Sequence, residues 1–256
     1  MKDYIYDGTF EGLLTCIWHH YYTEKAAGIY TADAYQVNML YGCQEVESDE
    51  AKWSRVYDAI NNKISDFALR QMYRAYLSCD KDKGIKLLRF AELGFREGPK
   101  VTSLHGAKAV YDMEQLTIKV GNEKEKMLQF VRFRVMNCGS DEAIGSQAVL
   151  YAEIEPDNDV LELIASHFCD RYRKDPFIIR DVGRNKAIAG YDKKWYIMPF
   201  YDEDVPTASA DEIHYRKLWK TYFDHIAIKE RANKRCQQNF VPERYRKHLT
   251  EFMLNY

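Results

Sequence analysis

The chain lacks the features of a membrane protein, a disulfide scaffold or a metal-cluster protein. None of its apolar runs approaches the roughly 20 residues that span a bilayer, and its start has no apolar stretch of the signal-peptide kind. Its six cysteines are scattered without a close pair, which favours reduced thiols and offers neither zinc nor iron–sulfur ligand spacing. We therefore expect a cytoplasmic protein that binds no metal or other cofactor and does not enter a membrane.

Glycine motifs that cradle phosphates are also absent. The sequence contains neither G-x-x-x-x-G-K-[ST] nor G-x-G-x-x-G, so it indicates no P-loop and no dinucleotide-binding fingerprint. His19 and His20 are adjacent and would point about 100° apart on a helix, a poor arrangement for a shared metal. His167 and Asp170 would share one side of a helix, where surface packing is favoured over a role as a tuned base. The residues alone identify no catalytic group.

Charge is plentiful but unevenly distributed. Residues 1–50 hold 2 Lys or Arg against 9 Asp or Glu, whereas residues 211–256 hold 10 against 6. A chain with a formal net charge of only -2 therefore has an acidic beginning and a basic end. Tyrosine is heavily used, with 20 residues beside 12 Phe and 4 Trp. Its apolar ring and polar tip suit half-buried surfaces as well as cores.

The basic end interleaves cations with aromatic rings. This pattern suits a polyanion, because Lys and Arg contact phosphates while the rings stack on bases. It arises equally when an amphipathic helix buries its rings and leaves its lysines in water. The last helix is amphipathic, and its predicted core face is Leu218, Trp219, Tyr222 and Phe223.

The first half of the chain, residues 1–125, is predicted to be mainly helical after a short N-terminal strand. Thr9 is placed to cap a helix that runs to about Tyr22. Gly12 inside that helix indicates close packing against another backbone, since glycine is otherwise unfavourable there. Residues 51–97 show helical periodicity in two or three segments.

Period-two patterning begins near residue 126 and predicts an antiparallel sheet within 126–200. Residues 128–136 alternate and should pair with a strand over 148–154, while a helix over 157–172 packs on the sheet. The N-terminal strand is available to join one edge. Separate helices and tightly turned strands define an α+β fold rather than a βαβ repeat. The further strands are predicted at 177–180, 186–190 and 194–200.

A C-terminal module of helices, residues 211–256, completes the predicted organisation. The acidic stretch 201–210, which contains Pro206, is typical of a linker. Ser209 and Glu212 then form a capping box that opens the last amphipathic helix.

Arg132 and Arg134 are the most informative cations outside that module. Two residues apart on a strand, they would share one face of the sheet and could hold a phosphate between two guanidinium groups. Cross-strand pairing with a carboxylate such as Glu153 explains them equally well. Arg184 belongs to a further cationic cluster around the neighbouring turns.

Several sequence blocks together resemble a known family. They are residues 4–14, 130–133, 151–156 with His167-Phe168, and 228–252. The chain resembles a bacterial family of DNA metabolism or repair proteins of unknown function that is encoded beside a radical-SAM protein. Its C-terminal module is similar to one fused to some uracil-DNA glycosylase-like proteins. Where this family often has a tryptophan after the tyrosine of its Pro-x-Arg-Tyr end, this chain has Arg246.

The resemblance implies an association with DNA repair or DNA metabolism and carries over no catalytic residue. The resulting expectation is a protein that binds DNA and acts with a radical-SAM partner. One alternative is an adaptor that docks this partner without touching DNA. Another is a base- or nucleotide-processing enzyme in which His167 or an acidic residue is the acid–base group. The candidate nucleic-acid-binding residues are Arg132, Arg134, Arg184, Lys217, Lys220, Arg231, Lys234, Arg235, Arg244 and Lys247.

Overall fold

The computed structural model describes residues 1–37, 39–138, 147–208, 210–226 and 233–252. The chain divides into two compact units. The first comprises residues 1–122 and 157–159, and the second comprises 123–156 and 160–256. Helices and strands are mixed in both units, and the predicted α+β class is confirmed.

The first unit is built on a small parallel sheet with the strand order β2-β1-β3. The strands are β1 (Lys2–Tyr6), β2 (Ala26–Thr31) and β3 (Gly42–Val46). Because β1 pairs on both sides with parallel strands of this sheet, the expectation that the N-terminal strand joins an edge of the 126–200 sheet is wrong. The sequence predictions omit β2 and β3, because these short stretches do not alternate clearly.

Five helices, α1 to α5, lie between or after the strands of this sheet in the sequence. Helix α1 (Phe10–Tyr22) begins where predicted, since the Thr9 hydroxyl accepts a hydrogen bond from the Gly12 amide at 2.9 Å. The three helices that follow confirm the helical periodicity of residues 51–97. They are α2 (Glu50–Lys63), α3 (Asp66–Tyr76) and α4 (Lys83–Glu97), and α5 (Lys108–Phe130) comes after them.

Gly12 is required for a reason other than the predicted one. A Cβ atom at this position would overlap the carboxylate of Asp7 and lie 3.1 Å from the hydroxyl of Thr9. The close neighbours are therefore side chains of the turn that precedes α1, and not a second backbone. Gly12 lets this turn fold back against the first turn of the helix.

The second unit contains a six-stranded sheet in the order β8-β7-β6-β5-β4-β9. Helix α6 (Leu161–Arg171) packs against β7 and β8, as predicted for the 157–172 region. The strands are β4 (Arg134–Cys138), β5 (Gln147–Ile154), β6 (Phe177–Asp181), β7 (Lys186–Tyr191), β8 (Lys194–Pro199) and β9 (Thr207–Ala208).

This sheet is mixed and not wholly antiparallel. β5 and β6 run parallel, whereas the other neighbouring pairs are antiparallel. The exception arises because α6 connects β5 to β6 as a crossover, which returns the chain to the end from which β5 started. One βαβ unit is thus embedded in the sheet, contrary to the prediction.

Two other boundaries differ from the sequence predictions. Residues 128–130 are helical, because α5 continues to Phe130 and β4 starts only at Arg134. Three alternating residues fit a buried helix turn as well as a strand. The predicted linker 201–210 contains a 3₁₀ turn over Asp202–Asp204 and the edge strand β9, which pairs with β4.

The C-terminal module is helical, as expected. It contains α7 (Ala210–Ile226), α8 (Lys234–Phe240) and α9 (Glu243–Arg246), followed by a 3₁₀ turn over Thr250–Phe252. The predicted cap Ser209 lies outside the described residues. Within the described part of the chain, no helix has both the length and the apolar character needed to cross a membrane.

Candidate nucleic-acid interface

Helix α7 presents aromatic rings to solvent. Tyr215, Trp219 and Tyr222 are 66%, 44% and 55% exposed, and Leu218 is 50% exposed. The prediction that Leu218, Trp219 and Tyr222 form a buried core face is therefore wrong. The periodicity is compatible with either outcome, because a helix with an apolar stripe can bury that stripe or offer it to a partner. Large exposed apolar patches commonly mark interaction sites.

These rings line a groove within the second unit. Its volume is about 650 Å³. Tyr215, Trp219 and Tyr222 are separated by four and three residues, so they lie along one face of the helix. The opposite wall includes Arg132 and Phe133, which precede β4. The full lining is Arg132, Phe133, Glu212, Tyr215, Arg216, Leu218, Trp219, Tyr222 and Thr250.

Glu251 holds the polar side of this groove together. Its carboxylate accepts a hydrogen bond from Arg132 Nη2 at 2.9 Å and one from Trp219 Nε1 at 3.4 Å. The Lys220 ammonium group lies 3.4 Å from the Glu251 carbonyl oxygen. Burial acts to raise the pKa of Glu251, but the bonds from Arg132 and the backbone outweigh it and lower the pKa. The indole ring is thereby fixed with part of its surface still open.

A second carboxylate anchors the start of α7. Glu212 Oε2 accepts a hydrogen bond from the Val135 amide at 3.0 Å, and Glu212 Oε1 accepts one from Arg216 Nε at 3.0 Å. Glu212 is buried. It lies in the first turn of the helix, as predicted. The bond to Val135 ties the helix to β4, so the aromatic face stands on a strand of the sheet and not on a loop.

The candidate cations of the sheet form ion pairs within the protein. Arg134 Nη2 donates to Glu153 Oε2 at 2.6 Å, which confirms the cross-strand alternative for this residue. Arg132 lies before β4 and pairs with Glu251. The two arginines therefore do not present a shared, open sheet face for phosphate.

Three further candidates also contact acceptors of the protein. Arg184 Nη1 donates to Asp181 Oδ2 at 2.9 Å and to the Pro156 carbonyl oxygen at 3.1 Å. Arg244 Nη2 donates to the Tyr245 hydroxyl at 2.7 Å, and Lys247 pairs with Glu155. With Lys220, which donates to the Glu251 carbonyl oxygen, six of the ten predicted binding residues are engaged in intramolecular contacts that a phosphate would have to displace.

The cations of α7 and α8 are placed differently. Lys217 and Lys220 lie on α7 but on a different side of the helix from the exposed rings, and Lys220 is half-buried near Glu251. Lys234 and Arg235 begin α8 and are exposed. These four residues remain the best-placed candidates for phosphate contacts. The tenth candidate, Arg231, lies outside the described residues.

The Arg134–Glu153 pair belongs to a larger polar network on the same face of the sheet. Tyr151 donates to Glu153 Oε1 at 2.9 Å, and His248 Nδ1 lies 3.8 Å from Glu153 Oε2. His248 makes the largest contribution to the lowered pKa of Glu153, which falls to about 2 although burial opposes the shift. Arg134 and Tyr151 lower it further. His248 Nε2 is also 3.4 Å from Glu155, so the network ties the C-terminal segment to β5.

The sequence model of the DUF4130 family, a domain of unknown function, matches residues 81–251. The chain belongs to the DUF4130 family. The matched DUF4130 region contains the six-stranded sheet, the groove beside α7 and the Glu153 network. Comparison with curated proteins and with solved structures found no match.

Sequence reasoning named Glu153 as a possible partner of the arginines but missed Glu251 and His248, which also organise the DUF4130 region. Glu251, Glu153 and His248 act across long sequence separations, and single acidic residues or histidines in a helix or strand carry no local signal of such pairing. Glu153 alone was identifiable, through the two-residue spacing of the arginines opposite it. The partners in these contacts can be identified only when the folded structure places β4 beside β5.

The possible acid–base group His167 is not assembled into a site with its predicted neighbour. His167 and Asp170 are both exposed on α6, and Asp170 lies 3.9 Å from Arg173. This exposed position agrees better with the predicted surface role of His167 than with a role as a tuned base. Among the described residues, no three His, Cys, Asp or Glu side chains are grouped so as to hold a metal ion.

Proposed function

We propose that this protein binds single-stranded nucleic acid along the exposed aromatic face of α7, as part of DNA metabolism. The observation that carries the proposal is the combination of three exposed rings on one face of a helix with lysines elsewhere on the same helix. Tyr215, Trp219 and Tyr222 extend over about 10 Å of the helix axis, enough for more than one base. A helix that served only to close a core would bury these rings.

Unpaired bases fit this surface better than a duplex does. Each base stacked on an aromatic ring contributes about 1–3 kcal/mol and does so with little dependence on sequence. The bases of a duplex are already stacked on one another and offer only their edges to the grooves. Lys217 and Lys220, elsewhere on the same helix, supply the phosphate contacts, and Lys234 and Arg235 on α8 extend the positive charge.

The resemblance to a family encoded beside a radical-SAM protein supports the wider context. We infer that the chain acts in DNA repair or DNA metabolism and that a radical-SAM protein is its partner. In this arrangement the present chain contributes the nucleic-acid contacts, while the partner carries the cluster chemistry. Co-purification from the native host, followed by identification of the bound protein and nucleic acid, tests this part of the proposal.

Removing a ring from α7 should weaken binding to single strands. We expect Trp219→Ala and Tyr222→Ala each to lower the affinity for a fluorescent single strand of about 20 nucleotides roughly ten-fold, which corresponds to about 1.4 kcal/mol of stacking. Fluorescence anisotropy at low salt measures the effect. Tyr111→Ala is the matched control, because Tyr111 is 54% exposed on α5 in the first unit and should leave the affinity unchanged.

Three results would contradict the proposal. Equal affinity of wild type and Trp219→Ala for the single strand would remove the stacking role of α7. Absence of any affinity for single strands at low salt would make the groove a docking surface for protein and favour the adaptor alternative. Binding of a duplex more tightly than of the single strand would contradict the strand preference.

Reversing the charge of two lysines on α7 should change the salt dependence of binding. We expect the Lys217→Glu/Lys220→Glu double variant to reduce the slope of log affinity against log salt by about 0.7 for each phosphate that is no longer neutralised. Anisotropy titrations between about 50 and 200 mM salt, a range over which strongly ionic complexes weaken by about 10³–10⁵, measure the slope. The control is Lys100→Glu, an exposed lysine of the first unit. An unaltered slope in the double variant would exclude these lysines as phosphate contacts.

A further inference from the structure

One face of the six-stranded sheet is open at the edge formed by β7 and β8. Ile178 of β6 pairs with Ala189 of β7, and Ala189 pairs with Tyr196 of β8. Because the side chains of directly opposed residues lie on the same face of a sheet, these three form a row across the strands. Ile178 and Ala189 are half-buried, and Tyr196 is 62% exposed. The sheet face is therefore accessible at this edge.

Helix α6 lies on the opposite face of the sheet. Phe177 precedes Ile178 on β6, so its side chain points away from the open face. The Phe177 ring centroid lies 6.3 Å from that of Tyr172, at the end of α6. The row that ends at Tyr196 is thus on the side of the sheet that α6 leaves uncovered.

A groove of about 470 Å³ lies along this open face. Its lining includes the row and also Tyr191 and Lys194, which pair with each other across the β7–β8 hairpin. Tyr191 is two residues from Ala189, and Lys194 is two residues from Tyr196, so both share the face of the row. Tyr191 is 58% exposed. The groove therefore combines a floor of aliphatic side chains with two largely exposed rings.

The chain around this groove is strongly basic. Residues 171–199 hold 8 Lys or Arg against 3 Asp or Glu, a larger excess in fewer residues than the C-terminal module has. Lys193 and Lys194 are exposed at the tight turn between β7 and β8, and Lys174 is exposed shortly before β6. Positive charge of this density favours a polyanion as the ligand of the groove.

We propose that the open face of β6, β7 and β8 is a second contact surface for the single strand that α7 binds. Bases stack on Tyr191 and Tyr196, while Lys194, on the same face, contacts a phosphate. Exposed aromatic rings on a sheet are a known platform for unpaired bases. The inference rests on the proposed function for the class of ligand, but it concerns other residues and other elements of the second unit.

The two surfaces lie far enough apart to require a strand of several nucleotides. Glu212 ties α7 to β4, and β8 is four positions away from β4 in the sheet. Neighbouring strands lie about 4.8 Å apart, so β8 and β4 are separated by about 19 Å. A stacked strand rises about 3.4 Å per nucleotide, and about six nucleotides therefore cover this distance. A strand of about 20 nucleotides is long enough to contact both surfaces at once.

Ring variants of the hairpin test this surface in the full-length protein. We expect Tyr196→Ala to lower the affinity for a fluorescent single strand of about 20 nucleotides roughly ten-fold, measured by fluorescence anisotropy at low salt. Tyr196→Phe should keep the wild-type affinity, because it retains the ring. The melting temperature of each should stay within about 2 °C of wild type, since changes at exposed positions affect stability little. Tyr191→Ala, a second variant on the neighbouring strand, should also weaken binding, whereas Tyr111→Ala should not.

The double variant Trp219→Ala/Tyr196→Ala shows whether one strand contacts both surfaces. We expect a loss of affinity of about a hundred-fold, because the effects of distant contacts to the same strand multiply. A loss no larger than that of Trp219→Ala alone would overturn the proposal. Equal weakening by Tyr196→Ala and Tyr196→Phe would exclude base stacking on this ring.

The single variants distinguish failure of this inference from failure of the proposed function. Wild-type affinity in both Tyr196→Ala and Tyr191→Ala, together with weakened binding in Trp219→Ala, would exclude the sheet surface and retain the role of α7. Weakened binding in Tyr196→Ala with wild-type affinity in Trp219→Ala would retain the sheet surface and exclude α7. Absence of any affinity for single strands would contradict both.

Discussion

Replacing Glu153 with glutamine is expected to lower the free energy of unfolding at pH 7 by about 3 kcal/mol, the equivalent of a carboxyl pKa displaced from 4.5 to about 2. The side chain is only 22% exposed and bonds Arg134 and Tyr151. Glutamine has a similar shape but carries no charge to balance Arg134. Removing one partner of a largely buried ion pair leaves the other charge uncompensated. Urea denaturation at pH 7 measures the change.

The pH dependence of stability should change in the same variant. The pKa of Glu153 is lower in the folded state than in the unfolded chain. The stabilisation is therefore complete above the ordinary pKa of 4.5 and is lost as pH falls from 4.5 toward about 2. We expect Glu153→Gln to unfold with a flatter acid dependence across this window. Glu125→Gln, at a carboxylate that is 61% exposed, should retain the wild-type curve over the same window.

A result in which Glu153→Gln and Glu125→Gln have equal stability would contradict the role given to the network. A second comparison guards against general disruption of β5. If Arg134→Met in the Glu153→Gln background restores part of the stability, the destabilisation came from an unpaired charge and not from misfolding of the strand.

Gly84→Ala is the second change expected to be severe, with a destabilisation of about 3 kcal/mol at the upper end of the range for overpacked cores. Gly84 lies in the first turn of α4, against β2. An added Cβ would overlap the carbonyl oxygen of Ile29 and approach its Cβ and Cγ2 atoms to 2.9 Å. The backbone of a paired strand cannot move aside as a flexible side chain can. The gain of about 1 kcal/mol in helix propensity from glycine to alanine is too small to compensate.

Gly121→Ala provides the matched control for this prediction. Gly121 also lies within a helix, α5, but none of the described atoms is within 4 Å of the position of its added Cβ. We expect this variant to be more stable than wild type by about 0.5–1 kcal/mol, because alanine restricts the unfolded chain and favours the helix. If the two alanine variants shift the urea midpoint in the same direction, the close approach of α4 to β2 is not what demands glycine at position 84.

In the first half of the chain, local sequence patterns predict the helices but not the strands β2 and β3. Thr9 and the turn before it predict the start of α1 because capping depends on neighbouring residues. The long periodic stretch 51–97 predicts helices for the same reason. The sequence does not predict β2 and β3, since their parallel pairing with β1 joins residues more than 20 positions apart and leaves no alternating pattern in such short strands.

At the candidate interface, local patterns identify the residues but do not determine whether they are buried or paired. Position along the chain and residue type identify Lys217, Lys220 and the rings of α7, but cannot decide whether the rings are buried. Only the structure shows Trp219 and Tyr222 exposed beside a groove. Likewise, the sequence leaves Arg132 and Arg134 equally available for phosphate, and the structure places Glu251 and Glu153 beside them.

Short-range periodicity, capping and composition were sufficient to predict the α+β class, the capped helices, most strands of the second sheet and the contrast between an acidic beginning and a basic end. The parallel β5–β6 pair, the separate N-terminal sheet and the intramolecular contacts of six of the ten candidate cations became apparent only in the folded chain. The reason is that these features depend on contacts between residues far apart in the sequence. Such contacts determine which carboxylate neutralises which arginine, and which face of a helix is covered.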